Sequence, residues 1–437
     1  MNAETRIVAE AAIDMRPRSA VSGGVGLAGL AGLVSWVLIA RHYGMDGSWS
    51  ALVGIAACGL PMVLWSLLVD KVHHHVETGL DWSGPPRPLR DSLDISLIKI
   101  AGLWATWGVI AIVYGVARWY WQGQYLFSME LFTAAAPWLA GLSIPYILWI
   151  DRRLKEPRDG AYAFGQWLTG TGAPDRALLH DHFRAWAVKG FFLAFMLSIV
   201  PGGFGEIVRT PAAEMAASPL ALIRWMIAAM FVIDVAFATV GYVLTMKPLD
   251  AHIRSANPYA AGWTAALICY PPFTLMGDGG PLDYHPGTAD WAQWFAMYPA
   301  LIVMVGAVLV ALTGVYAWAT VAFGLRFSNL THRGILTHGP YAWSKHPAYL
   351  SKNLFWWLST LPFLAANGSI IDAVRNTIIL GVVSGVYYWR ARTEERHLGT
   401  DPIYRAYAAW MARNGAIPRL IRWVTGRPSK PGTMPAE

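Results

Sequence analysis

Apolar runs of close to twenty residues recur along this chain, and they constrain its fold more than any other feature. A helix rises about 1.5 Å per residue, so about twenty apolar residues carry it across a bilayer's hydrocarbon core. Ten runs qualify: Val21 to Ala40, Ser50 to Val69, Leu97 to Ala117, Leu131 to Ile150, Gly190 to Ile207, Leu220 to Met246, Tyr259 to Met276, Trp291 to Phe323, Tyr349 to Ala366 and Ile370 to Trp389. The seventh is short and broken by Pro271 and Pro272, which leaves a re-entrant path open for it. The first follows a polar start and lacks a small-residue cleavage site, so it reads as a retained helix rather than a signal peptide. With 55% hydrophobic and only 14% charged residues, the composition lies outside the soluble globular range. The expected fold class is all-α, a polytopic transmembrane helical bundle of about ten spans.

Charge sets the expected orientation, because basic loops stay on the cytoplasmic side. Of the 34 lysines and arginines, 27 fall in loops that alternate with the N-terminal tail, whereas the opposite loops hold only Arg41, Arg118 and Arg209. Both termini are therefore expected in the cytoplasm, in a bacterial inner membrane or its equivalent. The net charge of +7 is then a topology signal, and no nucleic-acid partner is implied. Cys58 and Cys269 both sit in apolar runs and suggest neither a disulfide framework nor a thiolate metal site.

The chain changes character near Ala289. Residues 1–288 read as an N-terminal bundle of about seven spans, and residues 289–437 as a unit of three spans plus a tail that concentrates the chemistry-bearing residues. Within the second unit, "LTHGPYAWSKHPAYLSKN" interrupts two apolar runs, and "RARTEERHL" follows the last one. Only Asn367, Gly368 and Ser369 separate the ninth and tenth runs, which predicts an antiparallel hairpin that brings the two polar clusters to one cytoplasmic edge.

Each cluster offers something. Pro347 suits the first turn of a helix, with Ser344 placed as a cap. The free amides of that turn, with Lys345 and His346, favour an anion. Glu394 and Glu395 can accept hydroxyl hydrogen bonds or attract an ammonium or sulfonium centre. Tyr341, Tyr349, Tyr404 and Tyr407 add flat faces for an adenine or a cation. The plainer alternative is that these are interfacial anchors, with Arg390 and Glu394 an ordinary i,i+4 surface ion pair.

The segments "GPYAWSKHPAYLSKN" and "RTEERHLGTDPIYRAYAAWMARNGAIP" carry a resemblance. Together they resemble the C-terminal signature of integral-membrane methyltransferases of the isoprenylcysteine carboxyl methyltransferase and phospholipid methyltransferase type. The matching positions are Gly339, Pro340 and Tyr341, then Lys345, His346, Pro347 and Tyr349. They continue with Glu394, Glu395, Leu398, Tyr404, Tyr407, Ile417 and Pro418, about 100 residues in all.

The resemblance implies that residues 339–349 and 394–407 of this pattern bind S-adenosylmethionine, with Lys345, His346 and Glu394 nearest the chemistry. It also implies a lipophilic small-molecule or lipidated acceptor entering from the lipid bilayer. Arg326, Asn329 and His332, in the polar approach to the motif, become candidates for orienting that acceptor. Two letters depart from the pattern. The usual arginine is Lys345, which keeps charge but loses the bidentate fork. The usual glycine is replaced by "SKN", and Lys352 becomes an intramembrane cation able either to neutralise an anionic acceptor or to snorkel to the surface.

In the expected mechanism an acceptor nucleophile attacks the sulfonium methyl in line, and His346 or a glutamate serves as base for an amine or phenol. The alternative is an NADPH-dependent reductase of sterol or related isoprenoid double bonds. Those ten-helix enzymes share the helix count and a similar His-Pro-x-Tyr and acidic-tail pattern. No metal is expected: His73, His74 and His75 are consecutive, so at most two could ligate together, although His73 and Glu77 would share a helix face. Asp234, deep in the sixth run, is read as a buried hydrogen-bonded carboxylate or a functional one. Asp278, Asp283 and Asp290 lack calcium-loop spacing and read as a turn-rich loop.

Overall fold

The computed structural model describes residues 15–425; Arg6, Arg427 and Lys430, counted above for orientation, lie outside the described residues. Fifteen helices and one two-residue ribbon follow in order among the described residues. They are α1 (Gly23–Tyr43), α2 (Ser48–Leu64), α3 (Leu89–Val116), α4 (Leu126–Asp151), α5 (Gly160–Thr169), α6 (Arg176–Arg209), α7 (Ala212–Ala217), α8 (Pro219–Val243), β1 (Ser255–Ala256), α9 (Ala260–Leu267), α10 (Trp291–Trp294), α11 (Pro299–Val321), β2 (Thr331–His332), α12 (Pro347–Thr360), α13 (Ile370–Leu398), α14 (Pro402–Asn414) and α15 (Ala416–Thr425). Eight of these helices are long and apolar enough to cross a membrane, so the chain is an all-α polytopic bundle. The termini of the helices follow local chemistry. Asp175, Ser218, Ser369 and Asp401 each accept backbone N–H groups of the turn they open, and prolines begin α8, α11, α12 and α14.

Two of the ten expected spans are not long helices. The ninth stops at Thr360, where Leu361 takes a positive φ of 47°, so α12 has 14 residues and the link to α13 has nine rather than three. The seventh is the eight-residue α9 followed by irregular chain. That segment still traverses the bundle. At one end Asn257 approaches the Thr393 carbonyl at 3.5 Å, and at the other Asp290 pairs with Arg224 at 3.3 Å and the Gly287 carbonyl accepts from the Ala366 N–H at 2.7 Å. Irregular backbone at membrane depth is tolerated only where protein satisfies it. Here Asn376, fully buried on α13, donates to the Pro286 carbonyl at 2.7 Å, and Arg375 donates to the Asp283 carbonyl at 3.1 Å.

The main core joins α1, α2, α6 and α8 to the end of α11 and the segment after it, through Leu33, Met62, Phe204, Phe237, Val321 and Leu336. Contacts therefore cross the expected division at 288/289. β1 pairs antiparallel with β2, Asp250 receives Arg326 at 2.7 Å, and Asp234 on α8 accepts from Tyr316 and Thr320 on α11. Arg333, 3% exposed, fastens this junction by donating to the carbonyls of Gly241, Ala251, Leu325 and Phe327. A guanidinium with five N–H groups is suited to a carbonyl-rich crossing of this kind.

Candidate functional site

The site is assembled where α12 begins and α13 ends. Pro347 occupies the first turn of α12, and the Ser344 hydroxyl accepts the His346 N–H at 3.2 Å, so Ser344 supports the turn without being the cap residue itself. Because α12 and α13 run antiparallel, held by Trp357 Nε1 donating to Ser384 Oγ at 3.1 Å, "SKHPAY" meets "RTEERHL". Lys345 Nζ lies 2.5 Å from Glu395 Oε1, and His346 Nε2 lies 3.0 Å from the same oxygen. Arg392 holds the other oxygen at 3.0 Å. One residue earlier, Glu394 accepts from the Tyr349 hydroxyl, and the His346 ring stacks on Tyr349 with centres 5.6 Å apart and planes 4° apart. The adjacent glutamates thus take different tasks: Glu395 ties the clusters together and Glu394 faces a cavity.

The non-atom space in and in front of that cavity comes to about 1240 Å³, open solvent at its mouth included. Of the expected residues, Arg326, Asn329, Tyr341, Lys345, His346, Tyr349, Lys352, Glu394, Leu398, Tyr404 and Tyr407 form its wall. Gly339, Pro340, Pro347, Glu395 and His332 do not. Gly339, with φ 58°, lets the chain turn against the Trp318 indole, and Pro340 and Pro347 are buried in the turns that open the motif. His332, expected to orient an acceptor, instead sits on β2 with Nε2 3.1 Å from Asp401. Arg326 reaches the wall, but its N–H groups go to Asp250 and to the Arg333 carbonyl at 2.9 Å. Asn329, the third of these candidates, lines the cavity and donates to the hydroxyls of Tyr242 at 3.1 Å and Tyr270 at 3.4 Å.

Several wall residues carried no sequence motif. Tyr270, Tyr316 and Tyr387 line the deeper part, and Arg390, 3% exposed, donates to Asn329 Oδ1 at 3.2 Å rather than forming a surface pair with Glu394. The signal was present as spacing: Tyr387, Arg390 and Glu394 fall at i, i+3 and i+7, one face of a helix. Lys352 points inward, with its ammonium 5.3 Å from the Tyr316 ring centre and 5.8 Å from that of Tyr387. The snorkelling alternative is not what the chain adopts.

Burial raises the hydroxyls of Tyr404 and Tyr407, so both remain O–H donors. Tyr407 donates to the Tyr341 carbonyl at 2.7 Å, whereas Tyr404 Oη and Arg390 Nε are buried with no hydrogen-bond partner among the described residues. Orphaned polar atoms in a cavity wall are costly unless a ligand or water meets them. Burial also lowers His332, against the opposing pull of Asp401.

The histidine run is not one helix. Val72–His74 and Val76–Thr78 are separate 3₁₀ turns, so His73 and Glu77 share no face. Instead the ligand atoms of His75, Glu77 and Asp250 lie within 4.8 Å of one another, but Asp250 is already held by Arg326 and Arg254. In the loop after α9, Asp283 accepts from Gly279 N at 2.8 Å and from His285 N and Nδ1 at 3.0 Å, a turn scaffold.

Compared with known proteins, residues 282–411 match the family described as "Protein of unknown function (DUF1295)". That family stands in the steroid 5α-reductase-like and isoprenylcysteine methyltransferase-like group of membrane proteins. No curated protein and no solved structure matches the chain. The matched segment holds the whole cavity wall except Tyr270.

Proposed function

We propose that the chain is an integral-membrane S-adenosylmethionine-dependent methyltransferase whose acceptor is lipophilic and whose site opens at the cytoplasmic edge of the membrane. One observation carries the reading: the two resembling segments converge on one cavity whose wall includes Glu394, Tyr349, His346 and the unpartnered Tyr404 hydroxyl. The donor set suits a zwitterionic nucleoside. Carboxylate and aromatic faces suit its sulfonium, a free phenol suits its polar edge, and Lys345 and His346 suit its carboxylate.

When bound, S-adenosylmethionine supplies an electrophilic methyl group. The chain's own contribution is to orient, exclude water and hold protons. The His346–Glu395–Lys345 tie fixes the start of α12 against α13, so that His346 and Tyr349 are presented as one stacked pair. Seven tyrosines make the wall a poor place for bulk water. An acceptor that releases a proton on reaction has Glu394 as its nearest base, through the Tyr349 hydroxyl.

A second reading, an NADPH-dependent reductase of sterol or related isoprenoid double bonds, is favoured by that same Tyr349–Glu394 pair. A phenol backed by a carboxylate in an aromatic cavity can deliver a proton to carbon. Thermal shift of the detergent-purified chain separates the readings. S-Adenosylmethionine or its demethylated product should raise the Tm and NADPH should not; the reverse result would replace the methyltransferase reading with the reductase.

A further inference from the structure

The last described element, α15 (Ala416–Thr425), is a helix that buries none of its own residues. Its sequence is "AIPRLIRWVT", and each large apolar side chain is more than half exposed: Ile417 58%, Leu420 59%, Ile421 54%, Trp423 84% and Val424 68%. Ile417, Leu420, Ile421 and Val424 fall at i, i+3, i+4 and i+7, which sets them in one stripe with Trp423 along its margin. Arg419 and Arg422 fall on the other side. A helix of ten residues is too short to cross a bilayer, and one so divided is built to lie on it.

The place where α15 starts fixes what its apolar stripe meets. The Ala416 N–H donates to the Trp343 carbonyl at 2.8 Å. Trp343 packs edge-on against Trp318, with ring centres 5.3 Å apart, and Trp318 stands in the last turn of the spanning helix α11. Partly exposed tryptophans at the end of a spanning helix mark the level where hydrocarbon meets headgroups. α15 therefore begins at that level rather than out in the solvent. Arg422 also donates to the Arg413 carbonyl at 2.6 Å, which ties the helix to the end of α14.

We propose that α15 lies in the plane of the membrane surface, its apolar stripe below the headgroups of an anionic leaflet and Arg419 and Arg422 level with the phosphates. The charge on the lipid follows from the charge on the helix, since α15 carries two cations and no carboxylate. The helix lies beyond the residues that match the family, and the proposal does not depend on the reaction at the cavity. It does bear on the wall. α15 continues from α14, which carries the wall residues Tyr404 and Tyr407, so lipid seating of α15 holds that wall against the segment at Trp343.

The test uses the full chain in nanodiscs of phosphatidylcholine, alone or mixed with phosphatidylglycerol. Hydrogen exchange of the amides in residues 417–425 reads the balance between seated and unseated helix. Exchange should be roughly ten- to thirtyfold slower in the anionic discs, the worth of two arginines at a charged surface. Replacing both, by Arg419→Gln with Arg422→Gln, should remove that difference. Equal exchange of the unmodified chain in the two discs would overturn the anionic preference, as would a difference that survives the double substitution. A second measurement reads depth from a nitroxide at Leu420→Cys or Arg419→Cys, with Cys58 and Cys269 replaced by alanine. The label at 420 should collide mainly with oxygen dissolved in the bilayer, and the label at 419 mainly with a water-soluble nickel chelate. Nickel reaching both would place α15 in water and overturn the proposal. A label at 420 that neither reagent reaches would replace the lipid with a protein surface, such as a second copy of the chain.

Discussion

Glu394 and Glu395 are neighbours with unlike surroundings, and substitution should separate them. Glu395→Gln loses charge against Lys345, His346 and Arg392 at once, so it should cost about 1–3 kcal/mol and lower the Tm. Glu394→Gln keeps an acceptor for the Tyr349 hydroxyl, so it should leave the Tm within a few degrees while weakening S-adenosylmethionine binding about tenfold or more. Equal effects of the two changes on Tm would refute this division. His252 offers a pH probe outside the spans. Burial lowers it to about 4, and its Nδ1 is buried without a partner. The unfolded chain, with a histidine near its ordinary value, then binds the extra proton between pH 6.5 and 4. The stability held by neutral His252 is present above that window and is lost as pH falls through it. His252→Gln should flatten the fall in Tm between pH 7 and 5, and an unchanged slope would exclude His252 as a cause. At this scale the sequence told residue types better than partners. His346, Tyr349 and Glu394 were legible from spacing, whereas Arg326 and His332 were not, because Asp250 and Asp401 come from distant segments and claim them.

Among the elements, the hairpin of α12 and α13 was readable because apolar length and a short polar turn force antiparallel neighbours. Its true link was not. Leu361 ends α12 early in a left-handed conformation, and apolar residues 361–366 look like helix in any hydropathy pattern. The seventh crossing was hidden for a related reason: its backbone groups are met by side chains of α13, which a local pattern cannot show. Asn376 is the clearest of these. Asn376→Leu keeps the branched shape and the heavy-atom count but leaves the Pro286 carbonyl without its donor, and should cost about 1–3 kcal/mol. The check is thermal unfolding of the purified variant beside Asn376→Gln, which retains an amide. A leucine variant as stable as the parent would mean that this carbonyl finds another donor.

For the whole molecule, the expected units at 1–288 and 289–437 meet through polar contacts that neither can satisfy alone. Cutting between them would strip Asp234 of Tyr316 and Thr320, Asp250 of Arg326, and β1 of β2. It would also remove from Arg333 the carbonyls of Gly241 and Ala251, leaving a buried cation under-satisfied. Composition separates the halves because chemistry-bearing residues cluster late in the chain, but packing does not follow composition. Residues 289–437 expressed alone should therefore be aggregated or degraded, whereas co-expression with residues 1–288 should restore a complex that elutes as one peak in detergent. The hydrogen-bonded groups are the reason to expect recovery in trans: none of the broken contacts needs the covalent link at 288/289, only that both partners share the bilayer. A monodisperse 289–437 fragment that binds S-adenosylmethionine unaided would show instead that the late cluster is self-sufficient and that the α8 and β1 contacts serve only the N-terminal bundle.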